Sequence, residues 1–108
     1  QAASIEAIRE IHLQLLNDSI TAARFFSEIT QYTSGPEVVA LAVSSAVTSF
    51  LIIKRPYSPA LPIQLATLIS GLMLHPSEPV RRTCLTLLTA ASDTSSFRAI
   101  LLELSNRM

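Results

Sequence analysis

Two histidines, one cysteine and a pair of adjacent arginines are the residues whose chemistry could reach beyond packing: His12, His75, Cys84, Arg81 and Arg82. An imidazole can act as a base or bind a metal near neutral pH. His12 and His75, however, fall in different helical segments, without metal-ligand spacing to Cys84 or a carboxylate. Gly35 and Gly71 are the only glycines, so a Gly-rich phosphate loop is absent. Serines and threonines are numerous, but none has a base nearby in sequence. The expectation is a chain that is not an enzyme, with no catalytic residues, no metal, no cofactor and no small-molecule substrate.

Cys84 lies inside an apolar helical pattern, where a cysteine acts as a small buried hydrophobe. A single cysteine excludes an internal disulfide and points to a reducing, intracellular compartment, cytoplasmic or nuclear. No basic and apolar leader opens the sequence.

Arg81-Arg82 is the best-placed polar pair and has two readings. In one, Arg81 satisfies carbonyls at a turn between helices or pairs with Glu78. In the other, the pair is a basic step on a binding surface that Arg98 and Arg107 extend. Lys54-Arg55-Pro56-Tyr57 reads as a protruding loop with an aromatic tip, suited to solvation or to partner contact. The candidate partner-binding set is therefore Arg81, Arg82, Arg98, Lys54, Arg55 and Tyr57. Net charge is zero, which gives no electrostatic case for nucleic acid. Residues 1–53 nevertheless carry five acids against two arginines, and residues 54–108 carry six bases against three acids.

The elements that must position these residues read as helices throughout. Ile5, Ile8, Ile11 or His12, and Leu15 recur at helical spacing over 2–16. Asn17-Asp18-Ser19 breaks that segment and supplies the next N-cap. A second helix over 19–32 has Ala22, Ala23, Phe25, Phe26, Ile29 and Tyr32 on its apolar face. Ser34 and Glu37 have the spacing of a capping box that opens a third helix through Ile53. A fourth starts between Pro59 and Pro62 and runs to Leu74. A fifth spans 79–92 with Val80, Cys84, Leu85, Leu87, Leu88 and Ala91 inward. Asp93-Thr94 caps a sixth over 95–106. The fold class is all-α, one domain of about six antiparallel helices.

Val38–Ile53 contains no charge and is the segment the others must cover. At about 1.5 Å per residue it reaches roughly 24 Å, short of a hydrocarbon core of ~30 Å, so a transmembrane segment is not expected. Hydrophobic residues make up 49% of the chain and charged residues only 15%, against about 25% in average soluble domains. So thin a charged surface has two readings: an ordinary surface solvated by its many serines and threonines, or apolar faces covered by neighbours.

The segments repeat. A shift of 43 places Ala23 on Ala66, Phe25 on Leu68, Phe26 on Ile69, Ile29 on Leu72, Ser34 on Ser77 and Pro36 on Pro79. A shift of 42 places Val38 on Val80, Ala42 on Cys84, Val43 on Leu85 and Ala46 on Leu88. This period, with an apolar helix, a Ser/Pro turn and a second apolar helix, resembles HEAT and armadillo repeats. Leu72-Met-Leu-His-Pro-Ser-Glu-Pro-Val-Arg-Arg-Thr-Cys-Leu-Thr-Leu-Leu88 carries the likeness, with Val80-Arg81 at the family's Val-Arg step. The matching Val38-Val39 lacks the arginine. The resemblance implies an α-solenoid with repeat units 19–53 and 59–92 and flanking half-repeats 1–16 and 94–108. It also implies a scaffold that binds a partner protein, as a helix or extended peptide across the second-helix face, or that stacks on adjacent repeats within a larger assembly. The competing expectation is a compact bundle closed around Val38–Ile53, holding an apolar ligand or acting at a membrane.

Overall fold

A computed structural model describes residues 2–53 and 59–107. Among these, the chain folds as six α-helices and one 3-10 turn, with no strand. The first helix, α1 (Ala2–Leu16), buries Ile8 and Leu15 and half-buries Ile5 and Ile11. It ends in a reversal built on Asp18, whose φ of 58° lies in the left-handed region. Ser19 N–H bonds back to Gln14 O at 2.8 Å and Asp18 N–H to Leu15 O at 3.1 Å, the paired closure typical of a helix end with a left-handed residue just beyond it.

That closure corrects the expected start of the second helix. Asn17-Asp18-Ser19 terminates α1 and does not cap its successor. Thr21 is the N-cap of α2 (Ala22–Ile29), its hydroxyl accepting from Arg24 N–H at 3.2 Å. The 3-10 turn Thr30–Tyr32 continues α2 in a tighter coil.

The uncharged segment forms α3 (Glu37–Ile53), and Val39, Ala40, Val43, Val47, Phe50 and Leu51 are buried along it. Its first-turn carboxylate is spent differently from a capping box. Ser77 Oγ donates to Glu37 Oε1 at 2.8 Å, tying this helix start to the turn of the following hairpin. The helix is not covered all round, since Val38, Ser45, Ile52 and Ile53 face solvent.

The remaining helices are α4 (Leu61–Met73), α5 (Glu78–Ala91) and α6 (Phe97–Asn106). Within α5, Val80, Cys84, Leu87 and Ala91 point inward, but Leu85 is 70% exposed, contrary to its expected burial. Asp93-Thr94 does not cap α6. Thr94 Oγ1 donates back to Ala91 O at 2.7 Å, and the N-cap is Ser96, without a side-chain bond.

Packing runs in two rows. In one, α3 lies between α1 and α5; in the other, α4 lies between α2 and α6. Neighbours along a row touch more extensively than do the sequence-adjacent α2 and α3 or α5 and α6. The Cα envelope measures 36 × 33 × 18 Å, and the thin dimension fits two helix layers packed about 8–10 Å apart. Between the rows, Phe25 and Phe26 of α2 meet Phe50 of α3 at ring-centroid distances of 5.7 and 5.3 Å, within the favourable range for aromatic pairs.

Candidate protein-binding surface

The α4–α5 turn absorbs the residues that first suggested chemistry. His75 is buried, and its Nδ1 accepts the Ser77 backbone N–H at 3.0 Å. The ring proton therefore sits on Nε2, which donates to Gly35 O at 2.7 Å. That carbonyl belongs to the turn before α3.

Arg81 donates from one guanidinium nitrogen to the carbonyls of His75 and Pro76, both at 2.8 Å. A turn with helix-end carbonyls needs such donors, and Arg81 fills that need. Arg82 makes an exposed pair with Glu78 at 2.8 Å. Arg98 and Arg107 are exposed on and just beyond α6, in the row opposite α5, so they do not continue a basic stripe from Arg81-Arg82. Lys54, Arg55 and Tyr57 lie outside the described residues. Among the described residues, Arg81 and Arg82 thus stand apart from Arg98.

Two open surfaces stand out instead. The first is a groove of about 460 Å³ between α3 and α5, lined by Leu41, Ser44, Ser45, Thr48, Ser49, Ile52, Ile53, Thr83 and Thr86. None of the described residues that line it is charged. Thr48 and Thr83 donate their hydroxyl protons to Ser44 O and Val80 O, at 2.8 and 2.6 Å. Their oxygens keep lone pairs as acceptors.

The second surface is a groove of about 610 Å³ formed by Ser70, Met73 and Leu74 with Leu88 of α5 and Leu101, Leu104, Ser105 and Arg107 at α6. Leu74 is 85% exposed, and Leu85 and Leu102 are also open to solvent. Sequence periodicity missed this face, because it assigns every leucine of an apolar stripe to the interior. The count of neighbouring helices was the signal that could have found it, since α5 and α6 are last in their rows.

Among the titratable groups, burial lowers the His12 imidazole below its ordinary range, and its Nε2 is buried without a hydrogen-bond partner. Burial likewise raises the Cys84 thiol, whose sulfur sits 3.7 Å from Ile69 O. Among the described residues, no group of three His, Cys, Asp or Glu side chains is placed to hold a metal. No described helix is long and apolar enough to cross a membrane. No protein-family model, curated protein or solved structure matches the chain.

Proposed function

We propose that the chain is a HEAT/armadillo-like helical-repeat scaffold that binds a partner protein within a larger assembly, and that the α3–α5 groove receives an extended segment of that partner. The repeat reading draws support from the helix rows: α1, α3 and α5 succeed one another in one layer, and α2, α4 and α6 in the other. Stacked hairpins make that pattern, because each hairpin hides its apolar face against the next.

The observation that carries the binding mode is the chemistry of the groove. Among the described residues its walls are uncharged and rich in hydroxyls whose free lone pairs accept hydrogen bonds. An extended chain offers backbone N–H groups to such acceptors, whereas a helix has spent nearly all of its own. Small or aliphatic side chains on that segment would rest on Leu41, Ile52 and Ile53. Closure around Val38–Ile53 to hold an apolar ligand is the weaker reading, since the space beside this helix opens to solvent and is hydroxyl-lined.

The test is a pull-down with cross-linking mass spectrometry on the full chain, run beside Ser45→Arg and Thr86→Arg, which fill the groove, and Arg98→Ala as a control. The expected result is a bound protein lost with both groove variants and kept with the control. A bound set indifferent to both groove variants would overturn the reading.

A further inference from the structure

We infer that the extended segment seated in the α3–α5 groove crosses α3 and sets an acidic side chain, aspartate or glutamate, in the pocket between α1 and α3. This inference rests on the groove reading above and names a chemical requirement of the partner that the groove alone does not impose. It starts from a shared wall. Ser45 and Ser49 of α3 line the α3–α5 groove, and the same two serines line a pocket of about 300 Å³ on their other side, against α1. The ridge between the two spaces is thus built of two small side chains, Ser45 exposed and Ser49 half-buried. Neighbouring helices pack about 8–10 Å apart, and an extended chain covers about 3.3–3.6 Å per residue. About two to four residues of backbone therefore carry the segment from one space into the other.

The two spaces differ in charge. None of the described residues lining the groove is charged, whereas the α1 wall of the pocket carries Arg9 and His12. No carboxylate stands among the described residues of that pocket. Arg9 pairs with Glu6 at 2.9 Å, but both side chains are mostly exposed, and pairs so open to water are weak. One contact from Nη1 to one Glu6 oxygen also leaves most of the five guanidinium N–H groups for a second acceptor. Glu10, exposed on α1, is outside the lining.

The chemistry of this wall selects an anion. Arg9 supplies a fixed positive charge, and Ser45 and Ser49 supply hydroxyls that can donate. The His12 ring packs against the apolar Phe25 ring at 6.3 Å and keeps its Nε2 buried without a hydrogen-bond partner. The described lining thus offers donors and one cation, and lacks an acidic acceptor. A carboxylate provides the acceptor oxygens and the opposite charge, and bonds from a guanidinium to it are of the strong, charge-assisted kind. A lysine or arginine at the same place would meet Arg9 and find no acid in the described wall.

The experiment selects binders from a display library of short random peptides on the full chain, in parallel for the parent, Thr86→Arg and Arg9→Gln. Thr86 lines the groove and not the pocket, and Arg9 the pocket and not the groove. Both residues are exposed, and circular dichroism melts verify that the variants fold. The parent should enrich peptides with Asp or Glu about two to four residues from an aliphatic residue. Thr86→Arg should lose these peptides, whereas Arg9→Gln should keep the aliphatic position and lose the acid. One selected peptide is then synthesised with its acid or with the matching amide. The amide should bind about three- to fivefold more weakly by calorimetry, the upper range for an exposed charge pair, and Arg9→Gln should erase that difference. The His12 ring resonances should shift with the acidic peptide, since that ring lines the pocket. Peptides that are lost with Thr86→Arg but show no acidic preference, or keep one with Arg9→Gln, overturn this inference and leave the groove reading standing. No selected peptides, or peptides indifferent to Thr86→Arg, overturn the groove reading and this inference with it.

Discussion

The His75 ring and the Gly35 carbonyl, forty residues apart in sequence, are joined by a 2.7 Å hydrogen bond. With Ser77 N–H on the other ring nitrogen and Ser77 Oγ on Glu37, one turn holds the start of α3 and the start of α5 at fixed separation. The α3–α5 groove has its width set at this end by polar contacts, and along its length by packing.

His75→Ala leaves the Gly35 carbonyl and the Ser77 N–H without their partner and opens a small void. Each unpaired buried group costs about 1–3 kcal/mol, so urea unfolding should show a loss of about 2–4 kcal/mol. His75→Gln, which keeps a donor, should recover part of it. Long-range nitrogen NMR should find the proton on Nε2; the opposite tautomer would contradict the geometry.

Gly71 lies where α4 meets the turn after α2. A Cβ there would stand 2.8 Å from Thr33 Oγ1 and 3.3 Å from Thr33 Cβ. Thr33 is buried, with its hydroxyl already committed to Thr30 O at 2.9 Å. Alanine in a helix normally gains about 1 kcal/mol over glycine. Overpacking costs roughly 1–3 kcal/mol, so Gly71→Ala should be net destabilising by about 1 kcal/mol. Adding Thr33→Ala removes Oγ1, and the double-mutant cycle should show coupling between the two sites. Strict additivity would mean the two side chains do not meet.

His12 sets a pH dependence whose sign follows from its burial. Its folded value is lowered, so below about pH 6.5 the unfolded chain holds more protons than the folded one. Stability is therefore undiminished above that pH and falls as the pH drops from it towards the folded value. His12→Leu should flatten this slope. By removing an unpartnered buried nitrogen it should also raise stability at pH 7 by about 1 kcal/mol. Equal slopes for variant and parent would assign the dependence to other groups.

Helix class and most helix boundaries were legible in the sequence because apolar spacing and Pro/Ser turns act locally. Pro62 enters α4 and Pro79 enters α5 near the start, as their spacing implied. Long-range bonds were not legible. Glu37 has a capping-box partner at Ser34 by spacing alone, yet it bonds Ser77, and nothing local announces that the two turns come together. Asp18 was misread because an aspartate after a helix can cap the next one or close the last, and only its φ decides. Leu85 was misread because a stripe shows which residues prefer burial and not whether a neighbour exists to bury them. Which of the described arginines share a face was not legible for the same reason: identity gives charge, while row membership separates Arg81 and Arg82 on α5 from Arg98 on α6.

The two adjacent arginines give the sharpest contrast in energy. Arg81 bonds two turn carbonyls, whereas Arg82 holds one exposed carboxylate at 2.8 Å. Exposed pairs contribute about 0–1 kcal/mol, so Arg82→Ala should change stability by less than about 0.5 kcal/mol, and salt should erase the difference. Hydrogen bonds from a charged donor are stronger, about 1.5–3 kcal/mol each. Arg81 is exposed, so water replaces part of that loss, and Arg81→Ala should cost about 1–2 kcal/mol. Arg81→Lys should restore little, because an ammonium does not reproduce the guanidinium's planar array of donors. Equal effects of the two alanine substitutions in urea unfolding would show that Arg81 does not hold the turn.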